Sequence, residues 1–295
     1  MDLDDVIVAT YCLIDEMLAA FSGGRRRRQR GPEPIMADAE VLTMEIVGEY
    51  LGLDQDTTIY AYFRRHYAAW FPALARMHRT TFTRQAANLW AVKEQLWRVL
   101  ATRLPHDPHI ALIDSFPLPV CRFARAHRCR LFRGEAAFGH DEGARQTFFG
   151  FRAHVRLAWP GVIAGLVLAP ADISEPEVAL ALAEGTSGYL VGDRNYWSPL
   201  LAEAVAADGV CLLAPYRKAT QDPDPARSRY LSRLRYRIET VFGQLVDRYQ
   251  AKRVRARDLW HLCGRLMRKV LSHTVVLLLN HQLGNPPRQL ARLLT

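Results

Sequence analysis

The sequence predicts an α/β protein in which an all-helical N-terminal region leads into a mixed-direction sheet flanked by helices. Two observations carry this. In the first ~105 residues apolar side chains recur at the three- and four-residue spacing of amphipathic helices. From His109 onward they gather into short runs bounded by turn residues, and helical stretches are interposed only later. Three early strands with tight connections, followed by helix–strand units, imply a sheet that is neither purely parallel nor purely antiparallel. The composition, 49% apolar and 23% charged, is that of an ordinary globular chain of 295 residues.

In chain order, Gly23-Gly24 and the block Arg25-Arg26-Arg27-Arg28-Gln29-Arg30 read as a loop between the first two helices. The second helix runs from Asp38, a plausible N-cap, to a stop at Gly52, with Val41, Met44, Ile46, Val47 and Leu51 near helical spacing. Further helices are expected from Thr58 to Trp70 and from Phe82 to Leu100. Trp90, Trp97 and Trp260 are expected in cores. Pro105 and Pro108 punctuate a boundary, so the chain divides into residues 1–106, a helical region, and residues 107–295, a domain with its late helices packed on the sheet. Ile110 to Ile113 is a buried strand ending at Asp114 and stopped by Pro117 and Pro119. Phe148 to Leu157 alternates, with Gly150, Arg152, His154 and Arg156 forming a basic face. Strands follow at Gly161 to Leu168, Tyr189 to Gly192 and Val210 to Ala214. Helices are expected at Glu175 to Glu184, at Leu200 to Ala207 and from about Arg227.

Several classes are disfavoured. No run reaches the ~18 apolar residues of a membrane span; Val270 to Leu279 reads as a buried helix. The opening Met-Asp-Leu-Asp-Asp lacks the basic flank of a secretory signal, and five scattered cysteines do not suggest a disulfide scaffold. A cytoplasmic protein without membrane partners is expected. The Cys121–Cys129 spacing is wider than the close pairs of zinc sites, and no phosphate-binding glycine loop occurs.

The net charge of +9 is unevenly placed: Arg227 to Lys269 holds thirteen Lys or Arg against Glu239, Asp247 and Asp258. A smaller excess spans Arg122 to Arg152. Such density suits phosphate neutralisation. Within this basic setting stand three carboxylates. Asp114 and Asp193 each end an apolar strand, where ligand sites of open α/β sheets gather. Glu239 is the sole acid between Arg227 and Val246, on a helix with the stripe Leu234, Ile238, Val241, Phe242 and Leu245. Mg²⁺ (or Mn²⁺) prefers a few carboxylates plus water and phosphate, and two such ions clamp an in-line phosphoryl displacement.

The sequence resembles the DDE transposases of bacterial insertion sequences, most closely the insertion sequence 982 group. The resemblance rests on Ile113-Asp114-Ser115-Phe116-Pro117, Phe149-Gly150-Phe151-Arg152-Ala153-His154, Val191-Gly192-Asp193-Arg194-Asn195-Tyr196, and the run from Arg235 to Leu245 that contains Glu239. The acids lie 79 and 46 residues apart. The resemblance implies a ribonuclease-H-like fold, with Asp114, Asp193 and Glu239 holding two Mg²⁺ or Mn²⁺ ions. It also implies cleavage of element ends and joining of the 3′-hydroxyl to target DNA, by a homodimer on terminal inverted repeats at the bacterial nucleoid. Relatives often carry a Tyr seven residues before the Glu and a Lys seven after it; Ser232 and Val246 stand there instead, with Lys252 or Arg253 as compensating cations.

Arg152 and His154 are expected to line the groove and contact DNA beside Arg194, Arg237, Lys252 and Arg253. Arg235 is expected either to grip the phosphate next to the scissile bond or to form an i,i+4 pair with Glu239. A nuclease or resolvase on the same scaffold, or a non-catalytic DNA-binding descendant, are the alternatives.

Overall fold

The computed structural model describes residues 1–23, 33–216, 218, 220, 222–253 and 255–294. The arginine block at 25–30 lies outside the described residues. The chain forms two compact units. One comprises Met1–Leu104, Arg248–Gln250 and Leu259–Thr295; the other comprises Pro105–Asp247 and Ala251–Asp258.

The first unit is helical: α1 (Leu3–Ser22), α2 (Asp38–Tyr50), α3 (Asp56–His66), α4 (Arg79–Asn88), α5 (Trp90–Thr102) and, from the far end of the chain, α10 (Leu259–Gln282). Helix α2 starts one residue off the expected cap. Ala37 occupies that place and its N–H donates to Glu40, while Asp38 instead accepts from Gln85 Nε2 at 2.8 Å. The single helix expected from Phe82 to Leu100 is broken at Leu89, so that α4 and α5 take separate directions around buried Phe82 and Leu96. Trp97 is in the core, whereas Trp260 is 49% exposed and stacks edge-on against Trp90 at 5.6 Å.

Helix α10 corrects the expected division of the chain. It packs on α5 and α2 rather than belonging to the sheet unit, because an apolar run with nearly every residue from Leu266 to Asn280 buried needs helices on all sides. It also carries Arg268 and Lys269 into the interior. Arg268 bonds to Glu45, Glu49 and Asp56, Lys269 bonds to Glu49 at 3.0 Å, and Lys93 bonds to Glu45 at 2.7 Å. Part of the positive excess read from the sequence is therefore neutralised inside this unit.

The second unit is built on β1 (Asp107–Arg122), α6 (Phe123–Ala126), β2 (Ala137–Asp141), β3 (Gln146–Trp159), β4 (Val162–Pro170), α7 (Glu175–Ala183), β5 (Gly188–Val191), α8 (Pro199–Ala207), β6 (Val210–Leu213) and α9 (Pro225–Gly243). The strand order is β2-β3-β1-β5-β6, with β4 also paired to β3. Strand β3 runs antiparallel to β1, β2 and β4, while β1, β5 and β6 run parallel. This is the mixed, helix-flanked sheet of a ribonuclease-H-like fold. Helices α7 and α8 cover the face that carries Ile113, through Val178, Leu182, Leu201 and Val205. Helix α9 covers the face that carries Phe116, which meets Phe242 at 5.1 Å.

Strand β1 does not stop at its prolines. It pairs with β5 only from Ile110 to Leu112, so beyond that point one side of β1 has no registered partner and a missing Pro N–H costs no ladder bond. Pro117 and Pro119 instead face Arg152 and Gly150 across β3. Gly150 is required there, since a Cβ would lie 2.3 Å from Leu118 O.

Two predictions follow from the helical unit. Arg268→Met leaves three buried carboxylates short of charge and should cost about 3–5 kcal/mol in a denaturant melt. His273 is fully buried and its pKa is pushed down by burial to about 4. The unfolded chain therefore binds the extra proton between about 4 and 6.5, and stability should fall as pH drops through that window. His273→Leu should flatten the slope, read from urea midpoints at pH 7 and pH 5.

Candidate active site

The parallel register Leu112↔Val191 sets the geometry. Asp114 and Asp193 each lie two residues beyond that pair, so both carboxylates come off the same end of adjacent strands. Gly192 permits the turn between them, because a Cβ there would sit 2.8 Å from Tyr196 Cβ. Asp193 Oδ1 then accepts from the N–H groups of Asn195 (2.7 Å) and Tyr196 (3.2 Å), which fixes its side chain at the strand's end.

Asp114 and Ser115 point to opposite faces. Asp114 Oδ2 accepts from Arg235 Nη2 of α9 at 2.9 Å and its Oδ1 from Ser115 N–H at 2.8 Å. Ser115 Oγ donates to Glu175 Oε1 at 2.9 Å and accepts from Arg152 Nη1 at 3.2 Å. The result is a pocket of about 430 Å³ whose polar lining includes Asp114, Asp193, Glu175, Asp141 and Arg152. Burial pushes Asp114 above the ordinary carboxylate range, and Asp193 adds to this against the opposing pull of Arg235. Glu175 is raised by burial and by the same two aspartates, and its Oε2 is buried with no hydrogen-bond partner among the described residues.

The expected residues are thus divided. Asp114, Asp193 and Arg152 meet in the pocket, and Arg235 reaches it through Asp114. Glu239 is exposed on α9 and is not among the pocket's lining. Ile238 is the buried position of that turn, which leaves the next residue about 100° further round the helix. Among the described residues no three His, Cys, Asp or Glu side chains already stand in metal-ligand array. The i,i+4 alternative for Arg235 gives way to its bond with Asp114.

His154 corrects the expectation of DNA contact. It is fully buried, with its ring nitrogen 3.3 Å from Tyr196 OH, and burial holds its pKa down to about 4. The supposed basic face of β3 is the face α7 covers. Arg237 is half-buried with its guanidinium over Trp159, and Lys252 pairs with the pocket residue Asp141 at 3.2 Å. Arg194 and Arg253 are exposed. Glu175 and Asp141 were missed as site residues. An acid in a helix's first turn reads as an ordinary cap-region residue, and β2, which carries Asp141, had no clear alternating pattern.

Carboxylates on the ends of neighbouring parallel strands in a ribonuclease-H-like sheet, attended by guanidiniums, define a class of enzymes that act on nucleic-acid phosphodiesters. A family model described as a transposase DDE domain matches residues 106–259, more than half of the chain, and the chain belongs to that family. DNA is accordingly its partner, and divalent cations are the family's general requirement. No curated protein and no solved structure matches the chain. No described helix is long and apolar enough to cross a membrane.

Ser115 links the two faces of the site, so Ser115→Ala should cost about 1–3 kcal/mol by stranding Glu175 and Arg152, and Ser115→Thr should restore most of it in the same melt.

Proposed function

We propose that this transposase belongs to the insertion sequence 982 group, cuts the ends of its element and joins the freed 3′-hydroxyl to target DNA. The side-by-side placement of Asp114 and Asp193 in a polar, half-buried pocket carries the reading. The donor set is all hard oxygen, and the buried, unpartnered Glu175 Oε2 marks a place short of positive charge, so the residues suit Mg²⁺ or Mn²⁺. Asp114, Asp193 and a third carboxylate would hold the ions. The resemblance assigns that third place to Glu239, one turn beyond Arg235; the pocket itself offers Glu175. The bound ions supply Lewis acidity for activating a hydroxyl and stabilising charge on the scissile phosphate.

The chain's own groups position the DNA. Arg235 is tied to Asp114 through one Nη2–Oδ2 bond. With a cation held at that carboxylate, Arg235 would be free to grip the phosphate next to the scissile bond, where its fork can hold two oxygens. Arg152, Arg194, Arg237, Lys252 and Arg253 supply further phosphate contacts. A homodimer bridging the two terminal inverted repeats, at the nucleoid in the cytoplasm, completes the reading.

Asp114→Asn should abolish Mg²⁺-dependent strand cleavage while leaving DNA binding in place, and retained cleavage sinks the assignment. Glu239→Gln and Glu175→Gln, assayed separately, identify the third carboxylate by which one loses about 10²-fold or more in cleavage. Arg235→Lys should keep DNA affinity yet lower joining of pre-cleaved ends, because positioning within about 1 Å governs in-line attack. Cutting of arbitrary duplex with no joined product would identify a nuclease instead.

A further inference from the structure

Between Asp56 and Glu94 the chain contains no acid, and the interval carries Arg64, Arg65, Arg76, Arg79 and Arg84, all exposed. This positive surface belongs wholly to the helical unit. Helix α4 sits within it, docked by Phe82, Gln85 and Ala86. The Gln85 amide is used internally, donating to Met36 O at 3.0 Å and to Asp38, which clamps α4 to the start of α2. What remains outward falls on two i,i+4 rows, Thr80-Arg84-Asn88 and Thr83-Ala87, and Arg79 stands at their N-terminal end.

These rows form one wall of a groove of about 680 Å³, whose other wall is Thr57, Trp260 and His261. No acidic side chain lines it among the described residues. Ten residues make a helix about 15 Å long, enough to lie across a major groove about 12 Å wide.

We propose that α4 is a base-reading helix that enters the major groove of duplex DNA. The inference rests on the reading of the chain as a transposase that recognises particular ends, and names the surface that does so. The side-chain types on the two rows fit the task. An arginine fork pairs with guanine O6 and N7, an asparagine amide with adenine N6 and N7, and the threonine and alanine methyls meet thymine methyls. Thr83 and Ala87, being small, let the helix approach the base edges closely. Arg79 and Thr80, with the flanking arginines, hold phosphates and set the register.

The test selects from a pool of 20-base-pair randomised duplexes with the full chain, then measures affinity for the enriched sequence and for a mixed-sequence duplex. Wild-type protein should enrich a motif. Arg84→Ala and Asn88→Ala should each weaken binding to it about 10-fold or more and relax preference at one or two base pairs, with little change on the mixed duplex. Arg84→Lys, which keeps the charge and loses the fork, should behave like Arg84→Ala on the motif. Arg79→Ala should weaken both duplexes alike and lower the salt slope by about one unit. Both base-facing residues are exposed, so thermal melts should match wild type. An unchanged motif and affinity in Arg84→Ala and Asn88→Ala overturns the proposal, as does a wild-type chain that enriches nothing. Asp114→Asn separates the two readings. Motif binding that depends on α4 without any metal-dependent cleavage by wild type refutes the transposase chemistry alone. Metal-dependent cleavage with binding indifferent to α4 refutes this inference alone.

Discussion

The sheet unit depends on one pairing, the short parallel ladder between β1 and β5. Three register pairs, ending at Leu112↔Val191, put the two aspartates abreast. A parallel neighbour demands a crossover, and the chain spends α7 on it, which brings Glu175 to the end of the sheet where Asp114 and Asp193 already stand. The brevity of the ladder is as important as its direction. Because β5 stops at Val191 while β1 continues to Arg122, the sheet opens just where the carboxylates emerge, and the pocket occupies that opening. Slipping the pairing by one residue would move Asp114 relative to Asp193 and turn Ser115 away from Glu175, since successive strand residues face opposite sides.

The protein handles buried charge in two ways, and the contrast locates its chemistry. In the helical unit Glu45, Glu49 and Asp56 are matched by Lys93, Arg268 and Lys269 in a closed set of ion pairs. Such a set fixes helices against one another because removing any member strands the others. In the pocket Asp114 is bonded to Arg235 and Glu175 to Ser115, while Arg152 reaches Ser115 and the His140 carbonyl rather than an acid. Burial and mutual repulsion therefore raise Asp114 and Glu175. A cluster of acids with few cations beside it favours an added cation, whereas in the helical unit each of the three acids already has a cation in ion-pair contact.

The two aspartates were legible only as a set, since an acid ending one apolar strand suits a turn or cap, and the fold class was legible from the change in hydrophobic period near His109. What escaped was decided by covering and pairing that a linear pattern does not encode. Alternation along β3 separates Arg152 and His154 from their apolar neighbours, yet it cannot say that α7 lies over that side; Tyr196 and His154 end up buried together. Pro117 and Pro119 look like strand breakers until β5 is seen to leave β1 unpaired there. Helix α10 gives no sign in its own sequence that its partners are α2 and α5. Glu239 lies one turn, about 6 Å, beyond Arg235 on nearly the same side of α9, and the sequence does not say at which turn the helix meets the pocket.

The division of labour between the two basic residue types follows the same logic. Arginine supplies 35 of the 39 cations, but the ratio says less than the placement. Three of the four lysines are committed to carboxylates: Lys93 to Glu45, Lys269 to Glu49 and Lys252 to Asp141. A compact ammonium suits a point contact with one acid in a tight space. The exposed positive surface of α3 and α4 is built from guanidiniums, whose planar fork matches two phosphate oxygens or a guanine edge at once. Arg235 uses the same group at the carboxylate pocket, where a fork held by a single bond to Asp114 keeps donors to spare. Lys93 and Lys269 close internal charge pairs together with Arg268, while the guanidiniums of α3 and α4 stay on the surface, where a polyanion can be gripped in a defined orientation.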